Sequence, residues 1–385
     1  MENNRYPLNK ILPVMFGFFI MGFSDIIGVT TNYVKHDMTG LNDTTVNLIS
    51  LSCFLWFLIL SIPTGMLMNR IGRKNTVLVS FVFQVLAMCL PLISYNFSLI
   101  LLAFSFLGIG NTILQVSMNP LVSEVVSSEK LTGTLTLGQF LKAIFSFSCP
   151  LIAAWGAGSA FGWKVMFPIY AVLSVLAFLW LFLTPITETK KKSKDLSFRV
   201  TFQLLKDKDI VALFIGILVL VGVDVSMNMT FPKFLIERCQ LDVAQAGMGN
   251  SVYFFSRMVG AFIGGILLLK YSSRCFFIGS VFIALFGLIG MCFASGTILT
   301  LIAVAIFGLG YANLFSIIFG FALHKVPTKS NEVSALLVSG ICGGAILPPL
   351  IGMITDYTHT QLSAMIVLIV VWCYMVWLIK GVKSE

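Results

Sequence analysis

Four ionisable side chains stand inside long apolar runs of this chain: Asp25, Lys142, Asp224 and Arg257. Lys142 lies about a dozen residues from either end of the run Leu131 to Trp155. At 1.5 Å of rise per residue that is roughly 18 Å, farther than a lysine stem can snorkel. A charge at the centre of a hydrocarbon layer costs about 3 kcal/mol or more unless it meets water or a counter-charge. Two acids and two bases at this depth balance one another. The chemistry open to them is reversible: a proton on and off a carboxylate, and electrostatic capture of a polar or anionic solute.

The surroundings of Lys142 repeat at helical spacing. Gln139, Lys142, Ser146 and Cys149 recur every three or four residues as one polar stripe, with Phe140, Leu141, Ile144 and Phe147 on the other faces. Other runs carry Ser24, Asp25, Gly28 and Asn32; Asn111, Thr112, Gln115 and Asn119; Asp224 and Asn228; Asn250, Tyr253 and Arg257; and Asn313 and Ser316. Each amide has two readings, contact with a substrate or hydrogen-bonding glue between helices. The charges likewise form either fixed ion pairs or a working set lining a water-filled cavity. Trp56, Tyr253 and Phe315 either stack on a sugar face or fill the core. If Asp25 and Lys142 are neighbours, a substrate that draws Lys142 away removes the charge favouring ionised Asp25, and binding becomes linked to protonation.

Helices must hold these groups in place. Of 385 residues 58% are hydrophobic and 11% charged, and the mean hydropathy is +0.96. Soluble domains are about one-quarter charged, so the composition predicts an all-α integral membrane protein with the lipid bilayer as its partner. Twelve runs are long enough to cross about 30 Å of hydrocarbon: 11–34, 46–68, 75–94, 98–122, 131–155, 164–184, 210–236, 246–270, 275–294, 297–323, 332–355 and 361–380. The first is too long for a signal-peptide core and reads as a retained helix. A polar stretch, 186–209, divides an N-terminal six-helix bundle (1–185) from a C-terminal one (210–385), with 186–209 as a cytoplasmic linker.

If both termini are cytoplasmic, the inside segments hold 19 basic residues, and the outside segments hold 4: Lys35, Lys164, Lys233 and Arg238. The net charge of +9 is then a matter of topology and implies no nucleic-acid partner. The eight cysteines form no CxxC, and the three histidines lack ligand spacing, so no metal or other cofactor is expected. GxxxxGK[ST], HExxH and GxSxG are absent, which argues against an ATP-driven pump or an enzyme.

The halves read as copies. "LLAFSFLGIGNTIL" (101–114) and "LIAVAIFGLGYANL" (301–314) match at an offset of 200, and "PLI" at 150–152 recurs at 349–351, an offset of 199. Internal repeats of this kind are common in secondary transporters, with the substrate site between the halves.

"GMLMNRIGRK" (65–74) resembles the G-x-x-x-D-R-x-G-R-K gating signature of the major facilitator superfamily at Gly65, Arg70, Gly72, Arg73 and Lys74, with Asn69 where the family has aspartate. On physical grounds alone the same residues suit a tight turn anchored by cations at the inner face. "GIGNTILQVSMNPLV" (108–122) and "GGAILPPLIGMITD" (343–356) resemble the fucose, glucose and galactose proton-symporter branch. In the second stretch Gly343, Gly344, Pro348, Pro349 and Gly352 predict a helix that bends, as a static kink or a moving gate.

The resemblance implies a major facilitator fold of 12 transmembrane helices in two six-helix pseudo-repeats, in a cell membrane, a bacterial inner membrane by the family's habit. It also implies a monomer carrying a monosaccharide or sugar derivative by alternating access with H+ as coupling ion. In that branch the position of Gln139 is a sugar-binding glutamine and that of Lys142 an asparagine. Asp25 resembles the branch's aspartate on helix 1, whereas Gln115 replaces its proton-carrying glutamate, and an amide does not titrate. Proton coupling therefore falls to Asp25, with Asp224 second. The substrate positions are Gln139, Lys142, Gln115, Asn119, Asn32, Asp224, Asn228 and Asn313. The alternative is a carrier of an anionic sugar acid or other carboxylate held by Lys142 and Arg257, with proton or sodium coupling. A third class is a non-transporting membrane receptor.

Overall fold

Polar residues placed where the apolar runs begin start the helices. Asn42, Asn96, Asp207, Asp242 and Ser272 each accept a backbone N–H from the first turn that follows, satisfying a donor the helix cannot pair itself. A computed structural model of the protein describes residues 8–126, 128–188, 198–268, 271–326 and 329–381. Every regular element among them is helical. The helices that position the site are α1 (Leu8–Asp37), α2 (Asp43–Ile71), α3 (Arg73–Ile93), α4 (Phe97–Val125), α5 (Ser128–Ala157) and α6 (Met166–Leu183) before the linker. After it come α7 (Lys208–Cys239), α8 (Val243–Leu267), α9 (Ser273–Phe293), α10 (Thr297–Lys325), α11 (Glu332–Thr358) and α12 (Leu362–Leu378).

Each of the twelve expected runs holds a helix, and among the described residues ten helices are long and apolar enough to cross a membrane. The expected spans 246–270 and 361–380 fall outside that ten. Asn250, Ser251 and Arg257 dilute α8, and α12 is a shorter apolar helix. Three helices are interrupted: α1 by a 3-10 turn at Gly22–Asp25, α10 between Tyr311 and Leu314, and α11 by a 3-10 turn at Gly340–Cys342. The bend expected in the eleventh run thus lies just before its glycine and proline cluster. Those glycines serve close approach: a Cβ on Gly344 would come 2.9 Å from Phe54, and one on Gly352 would come 2.8 Å from the Asp43 carbonyl.

The connections fall at two ends. Arg73 at the start of α3 meets Glu124 at the end of α4, and Lys74 donates to the carbonyls of Phe182 and Thr184 after α6. Lys325 at the end of α10 pairs with Asp209 at the start of α7. This is the linker end. At the far end Tyr95 and Trp163 both donate to Asp37, and Arg238 donates to the Ala294 carbonyl. Arg5, Lys190, Lys191, Lys192, Lys194, Lys270 and Lys383, all part of the basic-residue count, lie outside the described residues, as do 189–197 of the linker.

The repeat spacing recurs in the packing. A Cβ on Gly108 would overlap the Cys53 carbonyl, and one on Gly308 would come 2.9 Å from that of Tyr253. Gly110 and Gly310 would likewise meet the carbonyls of Ser80 and Ser280, at 2.9 and 2.7 Å. Both pairs of partners are again 200 residues apart.

Candidate functional site

The interruption of α1 brings Asp25 to α5. A Cβ on Gly22 would stand 3.0 Å from the Lys142 carbonyl, so the two helices touch one turn from the acid. Even so, Asp25 and Lys142 do not pair. One carboxylate oxygen of Asp25 accepts the Ser146 hydroxyl, the other accepts the Ser24 hydroxyl at 3.5 Å, and the Asp25 carbonyl accepts the Asn228 amide at 3.0 Å. Among the described residues the Lys142 ammonium has neither an ion-pair nor a hydrogen-bond partner. It remains within electrostatic reach of Asp25, Asp224 and Arg257.

Across the seam the second acid is fully engaged. Arg257 donates to Asp224 at 2.7 Å, and the Tyr253 hydroxyl donates to the same oxygen at 2.5 Å. The guanidinium lies 4.7 Å from the ring centre of Tyr311 and 5.4 Å from that of Tyr253. Planar cations stack well on aromatic faces, which holds Arg257 in one orientation. Tyr253, expected as a stacking platform or filler, is buried and serves as a hydrogen-bond donor. Tyr253 and Arg257 stand at helical spacing in the sequence, whereas nothing in the sequence points to Tyr311 of α10.

Polar stripes on four helices share one gradient of exposure. On α5, Gln139 is exposed, Lys142 half-buried, and Ser146 and Cys149 buried. On α4, Asn119 is exposed, Gln115 half-buried and Asn111 buried. Asp224 then Asn228 on α7, and Arg257 then Tyr253 on α8, follow the same rule. In each helix the open member lies nearer the linker end. The polar faces of these four helices are therefore more open toward the linker end than toward the far end.

The expected substrate positions divide. Gln139, Lys142, Gln115 and Asn119 are at least partly open and make no hydrogen bond among the described residues. Asn32, Asn228 and Asn313 are buried and donate to backbone carbonyls. Asn32 bonds to Gly28 and Met229 at 2.6 and 3.3 Å, Asn228 to Asp25, and Asn313 to Gly260 at 2.8 Å. Two of these bonds cross between α1 and α7. Gly28 makes room for that crossing, because any Cβ there would overlap Asn228. Asn250, read earlier only as one polar residue of α8, completes this group by donating to Asn228 at 2.7 Å.

At the linker end, Gly72 takes φ 89°, a conformation that favours glycine, and turns the chain sharply from α2 into α3. The Glu188 carboxylate caps α3, accepting the N–H groups of Arg73 and Lys74, each at 2.7 Å. Arg73 also reaches the Pro120 carbonyl at 3.1 Å. Gly65 is buried, and Asn69 and Arg70 are exposed.

A second charged cluster, at the far end, was missed. Lys233, counted with the outside segments, is buried within α7, 2.8 Å from Asp43. No local pattern could have joined two residues 190 positions apart.

The family model described as Major Facilitator Superfamily matches residues 14–349. A glucose/galactose transporter of Brucella abortus is 28% identical over 374 residues, 93% of this chain and 89% of that protein. A probable nitrate transporter of Staphylococcus epidermidis is 26% identical over 321 residues, 79% of this chain and 78% of its own length. Among solved structures, the E. coli fucose:proton symporter superposes with a TM-score of 0.72 at 15% identity, covering 98% of this chain and 99% of that one. A nucleoside transporter superposes with a TM-score of 0.78 at 13% identity, covering 97% and 98%.

Proposed function

The chain belongs to the Major Facilitator Superfamily, and from that premise we propose that it carries a monosaccharide or sugar derivative by alternating access, as a proton symporter. It is a multi-pass membrane transporter and not an enzyme. In this reading the chain is a monomer in a bacterial inner membrane. Twelve helices cross the bilayer, and two bundles, 1–185 and 210–385, rock about the linker 186–209. The linker end is cytoplasmic, which agrees with Arg70, Arg73, Lys74 and Lys325 at that end. In this reading a substrate hollow lies between the polar faces of α4, α5, α7 and α8 and faces inward, which agrees with their greater exposure toward the linker end. The unspent amides Gln139, Gln115 and Asn119 are suited to sugar hydroxyls, and the relatives' names support a sugar.

One observation carries the coupling. Asp25 sits at a helix break, and among the described residues its carboxylate is held by hydroxyls, while Lys142 of the adjoining helix has no bonded partner. With Asp25 ionised, the four charges cancel. A proton on Asp25 leaves a net positive set centred on Lys142, which favours an electron-rich ligand. Conversely, a ligand engaging Lys142 weakens its pull on Asp25 and favours the proton. Each ligand thereby raises the affinity for the other, as symport requires. Asp25→Asn should abolish pH-driven accumulation in proteoliposomes while sparing sugar exchange. Accumulation at the wild-type level would remove Asp25 from the mechanism and leave Asp224 as the candidate.

The unpartnered Lys142 also supports a second reading, an anionic sugar acid or other carboxylate, with proton or sodium coupling. The nitrate-named relative is consistent with an anion site in this fold. A ligand that binds only the folded protein raises its apparent stability. Neutral hexoses should therefore raise the melting temperature under the first reading and uronic or sialic acids under the second. Lys142→Asn should erase only the response to acids.

A further inference from the structure

Outside the hollow, one buried charged group joins helices from both sides of the linker. The Asp43 carboxylate, at the start of α2, is 5% exposed. It receives Lys35 from α1 at 2.5 Å and Lys233 from α7 at 2.8 Å, the latter 6% exposed. Thr355 of α11 and Gln361 ahead of α12 donate to its other oxygen at 3.1 and 2.6 Å. Lys233 also reaches Asn47 at 3.3 Å, and the Asn47 amide donates to the Pro348 carbonyl at 2.8 Å. One residue beyond Thr355, Asp356 accepts the backbone N–H groups of Asp43 and Thr44, each at 2.8 Å. A carboxylate from α11 thereby caps α2, where the helix dipole favours negative charge. Glu237 of α7 accepts the N–H of Gln361 at 2.6 Å and holds it in place from its own side.

We propose that Asp43 is the latch of the far end and that Lys35 and Lys233 act on it in opposite senses. The latch rests on the alternating-access reading proposed above: Lys233, Thr355 and Gln361 follow the linker, so they leave Asp43 when the far end opens. Lys35 precedes the linker, lies only eight residues from Asp43 and is 36% exposed, so it stays with Asp43 in both states. Lys233 therefore favours the closed far end. Lys35 keeps the carboxylate paired once the latch is released, so it lowers the cost of opening. A purely structural ion cluster would loosen whichever lysine were removed. A hand-off requires opposite signs.

Amide hydrogen exchange on the full-length protein in lipid nanodiscs reads this directly. Lys233→Ala should speed exchange at residues 43–47 and 355–361 by about tenfold or more; Asp43 keeps Lys35 as a partner, so the effect is smaller than for a buried charge left wholly unpaired. It should also slow exchange at residues 64–74, on the opposite end, as that end closes. Lys35→Ala should do the reverse at both ends. If Lys233→Ala does not fold, Lys233→Gln keeps most of the side-chain volume and answers the same question. Faster far-end exchange in both lysine variants, or no change at residues 64–74, would overturn the hand-off.

Discussion

Asp25 and Asp224 lie 199 residues apart, the spacing at which the two halves repeat, yet their surroundings differ. Asp224 stands on an unbroken helix and is clamped by Arg257 and Tyr253 from α8. The residues 200 positions before that clamp are Phe57 and Cys53, and both are buried and cannot supply a cation. Asp25 instead sits at the break in α1 with two serine hydroxyls, while the nearby Lys142 of α5 stays unpaired among the described residues. One position in a duplicated scaffold has become a fixed ion pair in one half and an adjustable set in the other.

The difference matters because the two arrangements answer a proton differently. A carboxylate bound to a guanidinium and a phenol loses a strong charge-assisted bond when protonated. One held by hydroxyls can accept a proton while the hydroxyls reorient, since each can donate or accept. In the proposed mechanism Arg257 and Asp224 therefore stabilise the helix packing beside the hollow, and Asp25 and Lys142 respond to what enters it.

The sharpest way to break this comparison is to delete each cation in turn. Arg257→Ala leaves Asp224 without its ion-pair partner, where Arg257 and Asp224 are only 24% and 17% exposed. Removing one partner of such a pair costs about 3–5 kcal/mol, so the protein should melt well below wild type or fail to accumulate. Lys142→Asn removes no bond, and its melting temperature without ligand should stay near wild type or rise. Equal destabilisation by the two changes would mean that Lys142 is paired as tightly as Arg257, and the contrast between the halves would fall.

Much of the scaffold was legible in the sequence because a bilayer demands long apolar runs. The four central charges were legible for the same reason: hydrocarbon makes any charge conspicuous. Their pairing was not. Helical spacing placed Tyr253 and Arg257 on one face, but only the packing of α8 on α7 decides that both meet Asp224, while Asp25 meets Ser146. The far-end latch was hidden because Asp43 and Lys233 lie near the ends of their runs. There a charge looks solvated, and burial depends on helices 190 residues apart.

A smaller effect should follow from trimming the hydroxyls. Tyr253→Phe removes one donor from Asp224 but leaves Arg257 in place, so its cost should be about 1.5–3 kcal/mol, the range for a hydrogen bond to a charged group, and the pH midpoint of uptake should not change. Ser146→Ala should cost no more in stability, because Ser24 still donates to the Asp25 carboxylate. It removes, however, a donor that stabilises the ionised carboxylate, so the pH midpoint of proteoliposome uptake should move. Two substitutions of similar structural cost would thus be separated by a functional readout alone. If the midpoint moves for Tyr253→Phe and holds for Ser146→Ala, the roles of the two acids are exchanged: Asp224 carries the proton, and Asp25 belongs to the packing.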